Sequence, residues 1–133
     1  MGKIPMTKTE HKEGGGGAVC PMDFILRMLM GPWTTYIIYN LTTYGPQRFG
    51  ELKRRVGGIS AKMMTERLRT LEGAGLVSRD YEATIPPKVT YALTSRGHEL
   101  DGVMEKLAEI AVRWEAEDKA RRARKPEELR AAE

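Results

Sequence analysis

Four polar side chains are spaced so that they share the outward face of one predicted helix, residues 60–73: Ser60, Lys62, Thr65 and Arg69. The opposite face of this helix carries Met64, Leu68 and Leu71 at spacings of four and three residues, which is the pattern of a buried stripe. Hydroxyl, ammonium and guanidinium groups on an exposed helix face can hydrogen-bond base edges and phosphates in the major groove. Glu66 can accept from cytosine or pair with a neighbouring arginine. The chemistry that this face favours is DNA recognition.

The surplus positive charge of the chain lies in the same region. Residues 47–96 contain ten Lys and Arg against five Asp and Glu, whereas the rest of the chain contains twelve against thirteen. Of the seven that lie outside the helix 60–73, three are candidates for contacts with DNA phosphates: Arg48, Arg79 and Lys88. A solvated basic surface without a partner has the same composition, so charge alone does not decide between the two interpretations.

The residue types that enzymes and metal sites need are scarce. The two histidines, His11 and His98, form no pair, and no cysteine cluster accompanies them. The glycine run at 14–17 lacks the Gly-Lys-Ser/Thr ending of a phosphate-binding loop. We therefore expect no catalytic site, no metal and no cofactor. Several methionines either line a ligand cavity between subunits or fill the core: Met22, Met28, Met30, Met63 and Met64.

The hydrophobic pattern places the candidate residues on short helices and one hairpin. Apolar residues at helical spacing predict helices over 21–30, from Pro32 to the Gly45-Pro46 break, over 49–56 and over 60–73. Gly57, Gly58 and Ile59 form a tight turn before Ser60, a suitable N-cap. Alternation with period two predicts strands over 76–82 and 88–93, joined by a tip that contains Pro86-Pro87. The expected fold class is mainly α with a small β-hairpin, a winged helix-turn-helix.

A long helix capped by Thr94 carries a narrow apolar stripe at spacings of three and four residues: Leu100, Val103, Leu107, Ile110 and Trp114. Such a stripe usually faces another helix. A chain of 133 residues is small enough for two copies to share a core, so we expect a homodimer formed through the terminal helices.

The chain is expected to hold one domain between two polar tails. Residues 1–19 have no periodicity, which indicates a flexible tail, and residues 20–115 form the domain with its dimerisation helices. Residues 116–133 form a charged tail that is expected to fray beyond Glu115 and to be broken at Pro126. No apolar run reaches the length of about 18 residues that a membrane span needs, and the N-terminus has no signal-peptide pattern. We expect a cytoplasmic protein with no membrane partner.

Cys20 is the single cysteine and directly precedes Pro21, a residue suited to a first helical turn. A thiol at a helix start lies near the positive end of the helix dipole, which favours its reactive form. Cys20 is therefore a redox candidate, and the alternative is an inert small apolar residue at a helix start.

Three segments in order resemble the HxlR family of bacterial winged-helix transcription regulators. They are CPMDFILRMLMGPWTTYIIYNL, RFGELKRRVGGISAKMMTERLRTLEGAGLVSR and IPPKVTYALTSRGHEL, which together run from Cys20 to Leu100. The resemblance implies a MarR-like fold, a homodimer built from the terminal helices, and binding to operator DNA. It also implies a role for Cys20, because several members use a cysteine there to sense oxidants or electrophiles. One departure is Pro32, which stands where the family usually has a lysine before the tryptophan, here Trp33; we expect Trp33 to lie in the core.

Two function classes remain open on the sequence. The first is a regulator that binds double-stranded DNA at an inverted repeat as a homodimer, with an oxidant or small molecule as its effector. The second is a winged-helix module for protein contact, or a ligand-responsive regulator without a redox role. A protein-binding wing would show an exposed apolar patch, and the sequence indicates none there. The outward polar residues of the helix 60–73 and the basic middle segment therefore favour the first class.

Overall fold

A computed structural model of the chain describes residues 20–131, with side chains described from Cys20 to Lys125. The expected flexible tail over residues 1–19 lies outside the described residues. The elements in order are α1 (Pro21–Leu29), α2 (Thr34–Tyr44), β1 (Gln47–Arg48), α3 (Phe49–Val56), α4 (Ala61–Gly73), β2 (Val77–Glu82), β3 (Lys88–Leu93), α5 (Ser95–His98) and α6 (Asp101–Ala131). The winged helix-turn-helix expected from the sequence is present, with α3 and α4 as its helices and β2–β3 as its wing.

Three boundaries of helices differ by two or more residues from those that the sequence predicts. α2 begins at Thr34 rather than Pro32, because Trp33 adopts a left-handed backbone with a φ of 70°. Thr94 caps the short helix α5, accepting a hydrogen bond from the Gly97 backbone N–H, and the long helix starts only at Asp101. The predicted fraying beyond Glu115 and the break at Pro126 are wrong for the backbone, since α6 continues to Ala131. Alanine, glutamate and arginine are strong helix formers, and they carry the helix through this stretch.

The wing is part of a three-stranded antiparallel sheet in the order β1-β3-β2. The third strand, β1, is anchored by the buried side chain of Gln47. Its Nε2 donates to the carbonyl oxygens of Asn40 at 3.0 Å and Gly45 at 3.2 Å, which ties β1 to the end of α2. The wing is therefore fixed to the helical core along one edge.

The core is formed where α2, α3 and α4 meet the base of the sheet. Its fully buried side chains are Ile37, Ile38, Leu41, Leu52, Met64, Leu68, Leu71 and Val77. Trp33 packs against this core, as expected, while remaining half-buried. α6 is fastened to α2 at its first turn, where the Thr42 hydroxyl donates to Asp101 Oδ1 at 3.1 Å and His98 Nδ1 lies 2.8 Å from Asp101 Oδ2.

Gly97 allows α5 to pass directly over the base of the wing. A Cβ at this buried position would overlap the Leu76 carbonyl oxygen, which accepts from the Thr94 backbone N–H at 3.0 Å. The junction of wing and terminal helices has no room for a side chain here.

We predict that Gly97→Ala lowers the free energy of unfolding by about 1 to 3 kcal/mol, because the backbone must shift to admit the methyl group. The measurement is chemical denaturation at one fixed protein concentration. Gly102→Ala is the matched control, since nothing lies within 4 Å of a Cβ at that position, and alanine favours the helix there. Equal stability of Gly97→Ala and the wild type would contradict the close approach.

Candidate nucleic-acid interface

The turn between α3 and α4 sets the direction in which α4 leaves the core. Gly57 and Gly58 have φ angles of 70° and 71°, a region that glycine adopts without strain. Ile59 is buried, and the Ser60 hydroxyl oxygen accepts a hydrogen bond from the Met63 backbone N–H at 3.1 Å. The N-cap predicted at Ser60 is confirmed, and a cap of this kind is worth about 1 kcal/mol.

The four side chains on the outward face of α4 offer different hydrogen-bonding groups to a partner. Lys62 and Arg69 are exposed and can donate to a partner. Thr65 is half-buried, and its hydroxyl donates to the Ala61 carbonyl at 2.8 Å, so it presents lone pairs and a methyl group to the outside. The Ser60 hydroxyl keeps its own proton for a partner, because its oxygen accepts in the cap. The face mixes two cationic donors with two hydroxyl groups.

The strand pairing places the three basic candidates outside α4 on two different faces of the sheet. Gln47, Tyr91 and Arg79 are register partners across the sheet and share one face. Arg48, Thr90 and Asp80 form the next row and lie on the opposite face, where Lys88 stands directly across from Glu82. Arg48 and Lys88 thus share their face with two carboxylates, whereas Arg79 does not.

A cleft of about 410 Å³ lies between α4 and the Arg79 face of the sheet. Its lining residues are Thr65, Leu68, Arg69, Glu72, Arg79 and Tyr91. Neither Arg69 nor Arg79 forms an ion pair among the side chains that the structure describes. Two guanidinium groups from a helix and a strand over one polar cleft suit an oxyanion such as a phosphate.

The wing carries exposed apolar side chains that the sequence analysis did not single out. Ile85 at the tip is fully exposed, and Tyr81 on β2 is 58% exposed, with its ring centroid 6.0 Å from the Arg79 guanidinium carbon. The Thr84 hydroxyl donates to the Pro86 carbonyl at 2.8 Å and braces the tip. In the sequence, an isoleucine directly before two prolines was the one sign of an apolar wing tip. Only the structure shows that no other side chain covers Ile85.

The apolar stripe of the terminal helix divides between the core and the surface. Leu100 is only 7% exposed and belongs to the core of the single chain, as does Met104. The members Val103, Leu107 and Trp114 are about half exposed, and Ile110 is intermediate. An apolar groove of about 330 Å³ runs beside them between α2 and α6, lined in part by Tyr36, Tyr39, Leu107 and Val112.

Cys20 occupies the N-cap position of α1, is half-buried, and forms no capping hydrogen bond through its side chain. The exposed apolar residues Met22, Phe24 and Leu26 follow it on α1, and the exposed Met30 is the C-cap of that helix. The methionines do not share one cavity in the single chain, since Met64 is buried in the core while Met30 is 81% exposed. Met22 and Met28 line a separate hollow of about 330 Å³ between α1 and the start of the terminal helices.

Two further observations concern the residues that the structure describes. They contain no group of three or more His, Cys, Asp or Glu side chains arranged to hold a metal ion. No helix between Pro21 and Ala131 has the length and apolarity to cross a membrane.

Comparison with known proteins agrees with this geometry. Residues 28–119 match the model of the HxlR-like helix-turn-helix family. An HTH-type transcriptional regulator of Halalkalibacterium halodurans, BH0655, is 40% identical over 93 residues, which cover 70% of this chain and 82% of the relative.

Two solved structures share the fold. A chain from Porphyromonas gingivalis W83 assigned to the MarR family superposes with a TM-score of 0.66 at 31% identity, covering 74% of this chain and 96% of that one. The redox regulator HypR in its oxidized form gives a TM-score of 0.63 at 36% identity, covering 68% and 92%. With its α3–α4 pair and wing, the chain belongs to the HxlR family and is a winged helix-turn-helix transcriptional regulator, not an enzyme.

Proposed function

We propose that the protein binds an inverted-repeat operator in double-stranded DNA as a homodimer in the cytoplasm, with α4 in the major groove. The observation that carries this proposal is the division of α4: Met64, Leu68 and Leu71 are buried, and the polar set with Ser60, Lys62 and Arg69 is turned outward. A recognition helix reads bases mainly through its N-terminal residues. Ser60 and Lys62 stand at that end of α4 and are the proposed base-reading groups, with Thr65 one turn later.

Arg69 and Arg79 have a different role in this proposal. Both line the cleft between α4 and the sheet, and a DNA phosphate is the oxyanion that a wing beside a major-groove helix would meet. We assign them to one stretch of the DNA backbone, with the Glu72 carboxylate in the same cleft limiting how deeply the phosphate enters. Arg48 and Lys88 act more weakly, because Asp80 and Glu82 share their face of the wing.

We predict that Lys62→Ala weakens binding to the operator by about 1 to 3 kcal/mol and changes binding to random duplex DNA much less. Arg79→Ala and Arg69→Ala should weaken both kinds of DNA alike and reduce the salt slope of log K by about 1 each, because each removes a phosphate contact. The measurement is fluorescence anisotropy across a series of salt concentrations.

Arg48→Ala is the matched control for Arg79→Ala, because the two arginines lie on opposite faces of the same sheet. It should change the salt slope less than Arg79→Ala does. A loss confined to the operator for Arg69→Ala would make Arg69 a base contact. Wild-type binding that is flat in salt would instead favour a module for protein contact, and the exposed Tyr81 and Ile85 would then be its contact residues.

The dimer rests on the apolar surface that the single chain leaves open. Val103, Leu107 and Trp114 on α6 are each about half exposed, and α1 exposes Phe24 and Leu26. These residues give each of the two terminal helices exposed apolar surface, which we call the patch, and such surface marks an interaction site when it is extensive. A two-fold pairing of this patch would give two copies of α4 for two half-sites.

We predict that Leu107→Glu gives a folded monomer, because Leu107 is 52% exposed and its replacement buries no charge within the chain. Light scattering measures the mass, and circular dichroism checks the fold. Leu100→Glu is the contrasting variant and should unfold the chain, since Leu100 is 7% exposed. If Leu107→Glu remains dimeric, the patch on α6 is not the interface.

A redox response at Cys20 is the second part of the proposal. It is supported by the similarity to HypR, whose name describes a redox regulator, and by the half-exposed position of the thiol at the start of α1. Two Cys20 thiols of a dimer would join as a disulfide while diamide takes up the two electrons and two protons. A small-molecule effector is the alternative, with the groove between α2 and α6 as its site.

We predict that diamide changes the operator affinity of the wild type at least several-fold and that dithiothreitol restores it, because a disulfide at α1 alters the spacing of the two recognition helices. Gel-shift titrations of wild type and Cys20→Ser, with and without diamide, provide the comparison. Identical responses of the two proteins would remove Cys20 from the mechanism without affecting the DNA-binding proposal.

A further inference from the structure

The residue of α4 that points most directly away from the core is an acid, Glu66. Three side chains of the helix are buried: Met64, Leu68 and Leu71. Because each residue of an α-helix is turned by about 100° from the one before it, these three fall within a sector of about 60°. On the same count Glu66 lies within about 10° of the direction opposite that sector, Lys62 about 30° and Arg69 about 50° from it. The centre of the outward face is therefore a carboxylate between two cations.

Ion pairing within α4 does not account for this carboxylate. Glu66 is exposed, and Lys62 and Arg69 stand four residues before it and three residues after it, spacings at which side chains can meet. Among the side chains that the structure describes, neither cation forms an ion pair with Glu66. A lysine that precedes a glutamate by four residues is also the less favourable order for such a pair. The carboxylate is left open to a partner outside the chain.

A carboxylate at this place restricts what the helix can bind. DNA phosphates repel it, so it is favourable in the major groove only where a base presents a hydrogen-bond donor. The donors there are the N4 amino group of cytosine and the N6 amino group of adenine. Adenine also presents the acceptor N7 beside its amino group, and N7 repels a carboxylate, whereas cytosine presents no acceptor on this edge. Cytosine is therefore the base that suits Glu66.

We infer that Glu66 reads one cytosine in each half-site of the operator, its carboxylate accepting a hydrogen bond from the N4 amino group. The inference rests on the proposed binding of α4 in the major groove and names a base that this proposal leaves open. Lys62, one turn earlier on the same face, suits the O6 and N7 acceptors of guanine. Side chains four residues apart on a helix are separated by about 6 Å, and base pairs by about 3.4 Å. The guanine therefore lies within about two base pairs of the cytosine, on either strand.

Glu66 also acts against the wrong sequences. Guanine presents two acceptors in the major groove and thymine presents one, so neither offers a proton to the carboxylate, and adenine offers its proton only beside N7. At any site without the cytosine, the repulsion between Glu66 and the phosphates is left without compensation. A repulsive group of this kind raises specificity by weakening the competing complexes. Lys62 and Arg69 supply attraction, and Glu66 restricts the sequences to which that attraction applies.

The test is selection of duplex DNA from a random pool by the full-length wild type, Glu66→Gln and Glu66→Ala. We expect Glu66→Gln to change the preference at one position of each half-site from cytosine to adenine, because the amide can pair with both N6 and N7 of adenine. Glu66→Ala should lose the preference at that position and keep the others. In fluorescence anisotropy, Glu66→Ala should bind the wild-type operator about tenfold more weakly and random duplex DNA at least as tightly as the wild type.

Glu51→Gln is the matched control, because Glu51 is an exposed carboxylate on α3 and its replacement makes the same change of charge. It should select the wild-type sequence, and circular dichroism checks the fold of each variant.

Three results would overturn the inference while the proposed DNA binding stands. They are an unchanged selection by Glu66→Ala, the loss of a preference for a base other than cytosine, and tighter binding of Glu66→Ala to operator and random DNA alike. A wild type that selects no common sequence would overturn both the inference and the proposed operator binding.

Discussion

The burial of one side of α4 is the constraint on which the interface depends. Met64, Leu68 and Leu71 are each at most 1% exposed, and they lock the helix against α2, α3 and the base of the sheet. Removing one such side chain from a core costs about 2 to 5 kcal/mol, so α4 cannot rotate about its axis without losing much of the stability of a small domain. The direction of Lys62 and Arg69 follows from this packing rather than from any preference of their own.

The wing is positioned by a second, polar constraint. Gln47 is buried beneath the end of α2 and holds β1 there through two hydrogen bonds, and β1 in turn pairs with β3. The register that results puts Arg79 and Tyr91 on the face toward α4 and leaves Arg48 beside Asp80 on the other face. A cleft with two arginines therefore forms where helix and wing meet, and its existence depends on both constraints together.

The sequence predicts those elements whose own periodicity is strong. α3 over Phe49–Val56, α4 from its Ser60 cap to Gly73, and β3 over Lys88–Leu93 lie where apolar spacing places them. β1 was missed because two residues are too few to show a period. The end of α6 differs from the prediction because neither the lack of apolar residues beyond Glu115 nor Pro126 outweighs the strong helix formers in this stretch.

The candidate site was predictable as a set of residues but not as an arrangement. Arg48, Arg79 and Lys88 look equivalent in the sequence, and only strand register, a tertiary property, separates them. Leu100 fits the spacing of the apolar stripe, but it lies in the turn before α6 and is buried in the core of the single chain. Spacing alone therefore could not show that Leu100 packs within the chain rather than against a second copy.

The most direct measurement of the central claim is selection of the preferred DNA from random duplexes, followed by hydroxyl-radical footprinting of the complex. If a homodimer places one α4 in each half-site, the selected DNA is an inverted repeat whose half-sites are separated by about one helical turn or a simple multiple of it. The footprint should then be symmetric about the centre of the repeat. Selection of no common sequence, or of a single half-site protected on one side, would contradict the account.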